Sequence, residues 1–381
     1  MILGIDASNI RRGGGITHLQ ELISSVNPSQ FRIEKIVVWG SWQTLEVLPD
    51  RSWLKKKKIS VFNSGLLSRV FWQKFFLSKL AREEGCDLLL VPGGSFVGNF
   101  QPVVAICQNL LPFENYEIYR YGLSLFALKM YLLRAVQSYT FRRVKGVIFL
   151  TKHALKTVQN ATGNLNGLIC IIPHGLNSRF QQQPKDQFPI ACYSYDNPFR
   201  ILYVSIIDHY KHQWHVVEAV AILRKFGLPV ILDLVGPAYP PALIKLNKSL
   251  NHWDSKNKWA FYHGEIPFNL LHNYYAKADL GLFASSCENL PNILLETMAS
   301  GLPIACSDRG PMSEILGVGG IYFNPEKPKD IARALKELIE SPALRLQLAQ
   351  ISYKISGEYS WARCADETLA FLIKCSNKSN K

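Results

Sequence analysis

The 381-residue chain has no run of about 18 uninterrupted apolar residues, the length a bilayer-spanning helix requires, so no transmembrane helix is expected. The closest approach, LSLFALKMYLLRAV, is broken by Lys129 and Arg134. Eight cysteines (86, 107, 170, 192, 287, 306, 364 and 375) form no CxxC pair and no metal-like spacing, the pattern of a reduced, cytosolic protein. A cleaved signal peptide is not expected either, because the opening MILGIDAS reads as a core strand. Glycines are present without the GxGxxG spacing of a dinucleotide site. Acidic residues are scarce in one half only. Residues 1–180 carry 22 Lys+Arg against 10 Asp+Glu, a net +12, whereas residues 181–381 carry 21 against 19. The first half therefore favours an anionic partner: a membrane surface, a phosphorylated substrate or a nucleic acid.

What is present fits a buried globular protein with room for two domains, at 48% hydrophobic and 19% charged residues. Short apolar runs alternate with longer amphipathic segments, as in parallel sheets covered by helices. ILGIDAS, KIVVWG, DLLLVPG, VVAIC and GVIFLT read as strands of a first series. NPFRILYVSII, VILDLVG, WAFYHG, ADLGLFAS and LPIACS read as a second. The Gln- and Pro-rich segment 180–198 between them reads as a hinge region, which divides the chain into a first α/β domain at 1–179 and a second at 199–355. KDIARALKELIES places Ile331, Ala334, Leu335, Leu338 and Ile339 at helical spacing. A last helix, within 356–381, has one apolar face. Two such halves joined by a hinge would leave a ligand cleft.

The stretch SSCENLPNILLETMASGLPIACS, starting at Ser285, follows the strand ADLGLFAS. Pro291 suits the first turn of a helix and Gly301 its end. Loops at the carboxyl ends of parallel strands bind ligands, and a helix N-terminus there favours an anion such as a diphosphate. Glu288 in the loop could then grip hydroxyls on one side of a ligand, and Glu296 in the helix could accept both hydroxyls of a ribose. The alternative from spacing alone is a solvated Glu288 and an ordinary helix-surface Glu296.

With its surroundings, ENLPNILLETMASGLPIACSD resembles the E-x7-E motif of retaining nucleotide-sugar glycosyltransferases of family 4, which have the GT-B fold. The resemblance is strongest from Ile201 to Pro325. It implies two Rossmann-like domains facing across a cleft: an acceptor-side domain, a nucleotide-sugar domain, and a C-terminal helix, beginning near the YSW of Trp361, that packs back on the first. By position it implies Glu288 beside the transferred sugar, Glu296 on the ribose, and the backbone of Asn289, Leu290 and Pro291 facing the sugar. YVSIIDHYKHQ matches the segment that carries an arginine and a lysine on the diphosphate; Lys211 falls at the lysine, with a solvated loop lysine as its alternative. Ile206 stands at the arginine, a departure for which His209, His212 or Arg309 could compensate.

In the first half, NIRRGGGITHLQEL resembles the family's glycine-rich loop. Gly13, Gly14 and Gly15 would let backbone amides approach a phosphate, flanked by Arg11 and Arg12. Gln108, followed by Asn109, stands where many members have a histidine; it can hydrogen-bond but cannot act as a base. Both could instead cap a loop. His174 and Gly175 match the segment leading to the hinge. The implied reaction is hexosyl transfer from a UDP- or GDP-sugar with retention of configuration, without a metal ion or other cofactor. Two segments that mix aromatic and basic residues, SRVFWQKFFLSKLAR and YRYGLSLFALKMYLLRAVQSYTFRRVK, either lie on an anionic membrane or bury Phe75, Phe76, Phe126 and Leu132 in the core. The KKKK run at 55–58 reads as a solvated loop. A lipid-linked or other glycan acceptor in bacterial surface polysaccharide or lipopolysaccharide synthesis, at the inner face of the cytoplasmic membrane, completes this reading. A catalytically silent partner of the same fold and a basic nucleic-acid binder are the alternatives; no nucleic-acid module is recognised.

Overall fold

In the first sheet the apolar runs are buried on both faces, which is why they are continuous rather than alternating. The computed structural model describes residues 1–11, 13–59 and 66–377. These fall into two compact units, one formed by Met1–Ile118, Gly122–Gly175 and Ser360–Lys381, the other by Tyr119–Tyr121 and Leu176–Tyr359.

The first unit holds seven strands: β1 (Ile2–Asp6), β2 (Lys35–Gly40), β3 (Leu54–Lys58), β4 (Leu88–Val91), β5 (Val103–Cys107), β6 (Gly146–Phe149) and β7 (Leu168–Ile171). They are ordered 3-2-1-4-5-6-7 and are all parallel. The winding reverses between β1 and β4, the topological switch point at which open α/β sheets place their ligands. The helix Trp361–Asn377 packs on the helix Gly14–Ser25 of the same unit. Gly175 permits that approach: a Cβ there would lie 2.2 Å from the amide nitrogen of Trp361.

The lysine run corrects the loop expectation. Lys55–Lys58 form β3, in register with Val37–Gly40 of β2. As an edge strand it needs no apolar alternation, and its charges blunt the open edge. Lys55, Lys57 and Lys35 converge on Glu84 at 2.9–3.2 Å, while Lys56 pairs with Asp50 at 2.7 Å. These ammonium groups, Lys55 foremost, hold the Glu84 carboxyl down at about 2. The core alternative for the aromatic segments also fails. Phe75, Phe76 and Leu132 are about half exposed, and Phe126 is only half-buried. No helix among the described residues is long and apolar enough to cross a membrane.

The second unit has β8 (Phe199–Val204), β9 (Val230–Val235), β10 (Ala260–Tyr262), β11 (Leu280–Phe283), β12 (Ile304–Ser307) and β13 (Ile321–Phe323), parallel and ordered 10-9-8-11-12-13. Its switch point lies between β8 and β11. The helix Pro328–Glu340 buries Ile331, Ala334, Leu335, Leu338 and Ile339, the face read from the sequence. Residues 180–198 belong to this unit. Phe180 is buried against Tyr275 and Phe268. The fully buried Arg345 donates to the carbonyls of Phe188, Leu338 and Ile339 and to the Gln187 side chain.

Candidate functional site

At the switch point of the second sheet, the loops after β8 and β11 are tied together. The chain leaves β8 through Ser205–His212, which closes in a short turn whose first residue is capped by Asp208. Tyr203 in β8 donates to the Lys211 carbonyl at 2.8 Å, fixing the turn from below. The amide of Ser286 donates to the Tyr210 carbonyl at 2.8 Å, and Ser286 Oγ bonds His212 Nε2 at 2.9 Å. Lys211 is thereby turned inward, 4% exposed, and its ammonium pairs with the Glu288 carboxylate. Neither is the solvated side chain that spacing alone allowed.

Glu296 sits in the helix Asn292–Ala299, with Pro291 at its N-cap. Gly301, at φ +63°, ends it; a Cβ there would lie 2.6 Å from the Gln182 carbonyl oxygen. Gly281 in β11 admits Thr297 of this helix close to the sheet. Glu296 is buried and accepts from Tyr275 Oη at 3.3 Å. Burial pushes its carboxyl up to about 8, with Tyr275 and Arg179 only partly opposing. The ordinary helix-surface reading of Glu296 is thus excluded. Asp208 is likewise raised by burial, although Tyr121 Oη donates to it at 2.8 Å. His209 packs its ring among Tyr121, Tyr239 and Trp214, and burial lowers its basicity. Burial, followed by the charge of Arg120, pushes His212 down to about 2, so it is a neutral imidazole. Arg309, after β12, is half-exposed and bonded to Asp308 at 3.2 Å. Ile206 adds no charge to the loop.

The remaining candidates lie in the first unit. Gly14 and Gly15 open the helix Gly14–Ser25, after Gly13 at φ +65°. A Cβ on Gly15 would stand 3.3 Å from Gln108 Oε1. Gln108 Nε2 bonds Nδ1 of the buried His18 at 2.8 Å, and the His18 ring lies 4.6 Å from that of His174, which stacks on Trp361. Burial, then His174, push His18 well below its ordinary value. Asn109 Oδ1 caps the next turn by accepting from the Leu111 amide at 3.1 Å. Arg12 lies outside the described residues. The sequence reading passed over His18, Tyr275, Asp208 and Tyr121. His18 and Asp208 stood inside the quoted motifs and Tyr121 inside the aromatic segment that opens YRYGLSLF; Tyr275 is recruited across the fold with no local signal. Among the described residues no group of three or more His, Cys, Asp or Glu side chains is arranged to hold a metal ion.

Two parallel-sheet Rossmann-like units of this kind define the GT-B fold, and residues 187–355 match the family described as Glycosyl transferases group 1. The second unit thus carries a group 1 glycosyltransferase domain. Over 159 residues the chain is 30% identical to D-inositol 3-phosphate glycosyltransferase of Rhodococcus erythropolis, covering 40% of this chain and 35% of that one. Over 115 residues it is 24% identical to O-antigen chain mannosyltransferase B of Escherichia coli, covering 30% of each. The chain spans only 21–35% of the length of these and six further curated relatives. The whole fold is similar to that of Anabaena HepE crystallised with UDP, at a TM-score of 0.69 and 18% identity over 98% of this chain and 99% of that one. It is also similar to WaaG, a glycosyltransferase involved in lipopolysaccharide biosynthesis, at a TM-score of 0.71 and 16% identity over 98% and 99%.

Proposed function

We propose that the protein is a retaining, metal-independent family 4 glycosyltransferase that moves a sugar from a UDP- or GDP-sugar to a glycan or lipid-linked glycan acceptor in bacterial surface polysaccharide synthesis. The second unit takes the donor and the first the acceptor. The observation that carries the reading is the buried Lys211–Glu288 pair at the start of a motif whose second carboxyl, Glu296, is buried as well.

Lys211 and the N-terminus of the helix Asn292–Ala299 neutralise the departing diphosphate, which is electrostatic stabilisation of the charge that develops in the transition state. Glu296 accepts from the ribose hydroxyls. Glu288, held by Lys211, orients the sugar together with the backbone of Asn289–Pro291. The bond from the anomeric carbon to the diphosphate oxygen breaks and the acceptor oxygen bonds to the same face. The acceptor proton passes to the leaving phosphate, so no side chain has to serve as nucleophile. A cytoplasmic protein that docks peripherally on the membrane suits the exposed aromatic helices of the first unit. Its HepE neighbour binds UDP, and an O-antigen mannosyltransferase is among its relatives; both support the reading.

Calorimetry with a panel of UDP- and GDP-sugars, on wild type and Glu296→Gln, tests it. One donor should bind, and the variant should weaken that binding at least tenfold. Binding of none would favour the silent-partner reading, which rests on the uncharged Ile206 and on Gln108 being tied to His18.

A further inference from the structure

The first unit has a cavity of its own, at the switch point of its own sheet. A cavity of about 400 Å³, within the size range of small-molecule sites, opens where the loops after β1, β4 and β5 meet. The helical segment 66–83 walls it on one side and the helix Leu125–Arg143 on the other. The first of these contains a π-helical stretch, Gln73–Leu77, a distortion that often marks functional positions. It turns Gln73 inward, where that side chain joins buried Asp6 to the Ser95 carbonyl and the Val97 amide.

Three features describe the ligand this pocket would take. Among the described residues that line it the charges are all cationic, Arg11, Arg69 and Lys129, with no Asp or Glu. Burial and the neighbouring Arg11 both lower Arg69, as expected of two guanidinium groups brought together with no carboxylate between them. Such a pair is stabilised by an anion that bridges it. Secondly, three described residues of the lining each carry a buried polar atom without a hydrogen-bond partner: Arg69 Nε, Ser95 Oγ and Gln137 Oε1. Ser95 and Gln137 are 8% and 2% exposed, so bulk water does not offset that loss. Gln137 Oε1 asks for a hydroxyl, and Ser95 Oγ can serve a hydroxyl or a phosphate oxygen. Thirdly, Val70 and Leu132 line the rim and are 36% and 57% exposed. The same two helices carry further exposed apolar side chains, Phe71, Phe75, Leu125 and Leu128.

We infer that this pocket binds the phosphorylated head of an amphiphilic glycan: a phosphate or diphosphate on Arg11, Arg69 and Lys129, sugar hydroxyls on Ser95 and Gln137, and an apolar tail along the exposed side chains of the two helices. As a statement about the acceptor, this rests on the transferase reading above; as a binding site, it stands apart from it. The exposed Phe71 and Leu132 are then the tail's path rather than unexplained apolar surface.

Titration of the full-length protein with farnesyl diphosphate, glucose 1-phosphate and farnesol, each below its micellar concentration, tests this. Farnesyl diphosphate should bind at least tenfold more tightly than either of the others. Arg69→Gln and, separately, the exposed Lys129→Gln should each weaken it several-fold while leaving UDP-sugar binding unchanged. Lys211→Gln should leave farnesyl diphosphate binding unaffected. Equal affinity for glucose 1-phosphate would overturn the amphiphile, and equal affinity for farnesol would overturn the anion site. Weakening by Lys211→Gln in place of Arg69→Gln would assign the ligand to the donor site, and no binding at all would refute the pocket. Loss of UDP-sugar binding with farnesyl diphosphate still bound would sink the transferase reading alone.

Discussion

Glu296 makes the molecule's stability depend on pH in a direction opposite to that of most carboxylates. Its carboxyl is raised by burial from 4.5 to about 8. The folded state therefore holds a proton that the unfolded chain releases, and stability falls as pH rises through that interval. Below pH 4.5 both states are protonated and the group contributes nothing. The penalty grows by about 1.4 kcal/mol per pH unit, reaching about 3 kcal/mol at pH 7 and levelling near 5 kcal/mol above pH 8. Glu296→Gln removes the titration and keeps the volume. Its fixed effect on packing is the same at every pH, so the informative quantity is the change in the melting-temperature gap between variant and wild type. For a unit of this size, about 3–4 kcal/mol accumulated between pH 5 and pH 8 corresponds to a gap that moves in the variant's favour by about 10 °C. Scanning calorimetry of both proteins at pH 5, 6.5 and 8 reads it directly. Addition of the donor nucleotide should narrow the gap at pH 8, because ribose hydroxyls donating to the carboxylate favour its charged form. A gap independent of pH would show that Glu296 is not desolvated, and with it would go the picture of a buried carboxyl awaiting a ribose.

Two further perturbations separate structural from catalytic roles. Lys211→Met leaves the nearly buried Glu288 carboxylate without its ammonium partner, which should cost about 3–5 kcal/mol and abolish transfer; Lys211→Met combined with Glu288→Gln should recover much of the melting temperature and none of the activity. Were the single variant as stable as wild type, the pair would not be the buried one described. Glu84→Gln, remote from both sites, should cost about 1–2 kcal/mol at pH 7, because the three lysines around it are 31–46% exposed and screened. Since its carboxyl is depressed to about 2, that contribution is present above pH 4.5 and lost as pH falls toward 2. Acid titration of the melting temperature in low and high salt checks both the direction and the screening.

The sequence patterns that were readable are those in which one force dominates. Strands buried on both faces announce themselves as unbroken aliphatic runs, which is why VVAIC, GVIFLT and VILDLVG were placed. The strands passed over are β3, β7 and β13, all at sheet edges, where only one side is paired. LKKKK is the extreme case: its side chains are held by Glu84 and Asp50, acidic residues outside the strand, so nothing within the run itself distinguishes a strand from a loop. The aromatic helices are readable only as an ambiguity. Whether Phe75 and Leu132 face the core or solvent is settled by packing, and packing is a property of the neighbours.

The same division runs through the candidate sites. Glu288, Lys211 and Glu296 were legible because their chemistry is concentrated in two short motifs. Their states were not, since packing sets them: Tyr203, eight residues before Lys211 in the same motif, is brought beneath it by the turn, and Tyr275, outside both motifs, lies beside Glu296. Gln108 is the sharpest instance. In the sequence it is a histidine lost; in the fold its amide is bonded to His18, contributed by a helix some ninety residues earlier. The pocket of the first unit belongs to the same class of feature. Arg11, Arg69 and Lys129 are three unremarkable charges in a basic half, and only the reversal of winding between β1 and β4 gathers them at one cavity. Both sheets thus carry their polar residues at the carboxyl side of a switch point. In the second the charges are paired within the protein, Lys211 with Glu288. In the first the cations have no carboxylate among the described lining residues, so an anionic ligand other than the donor would find its countercharge there.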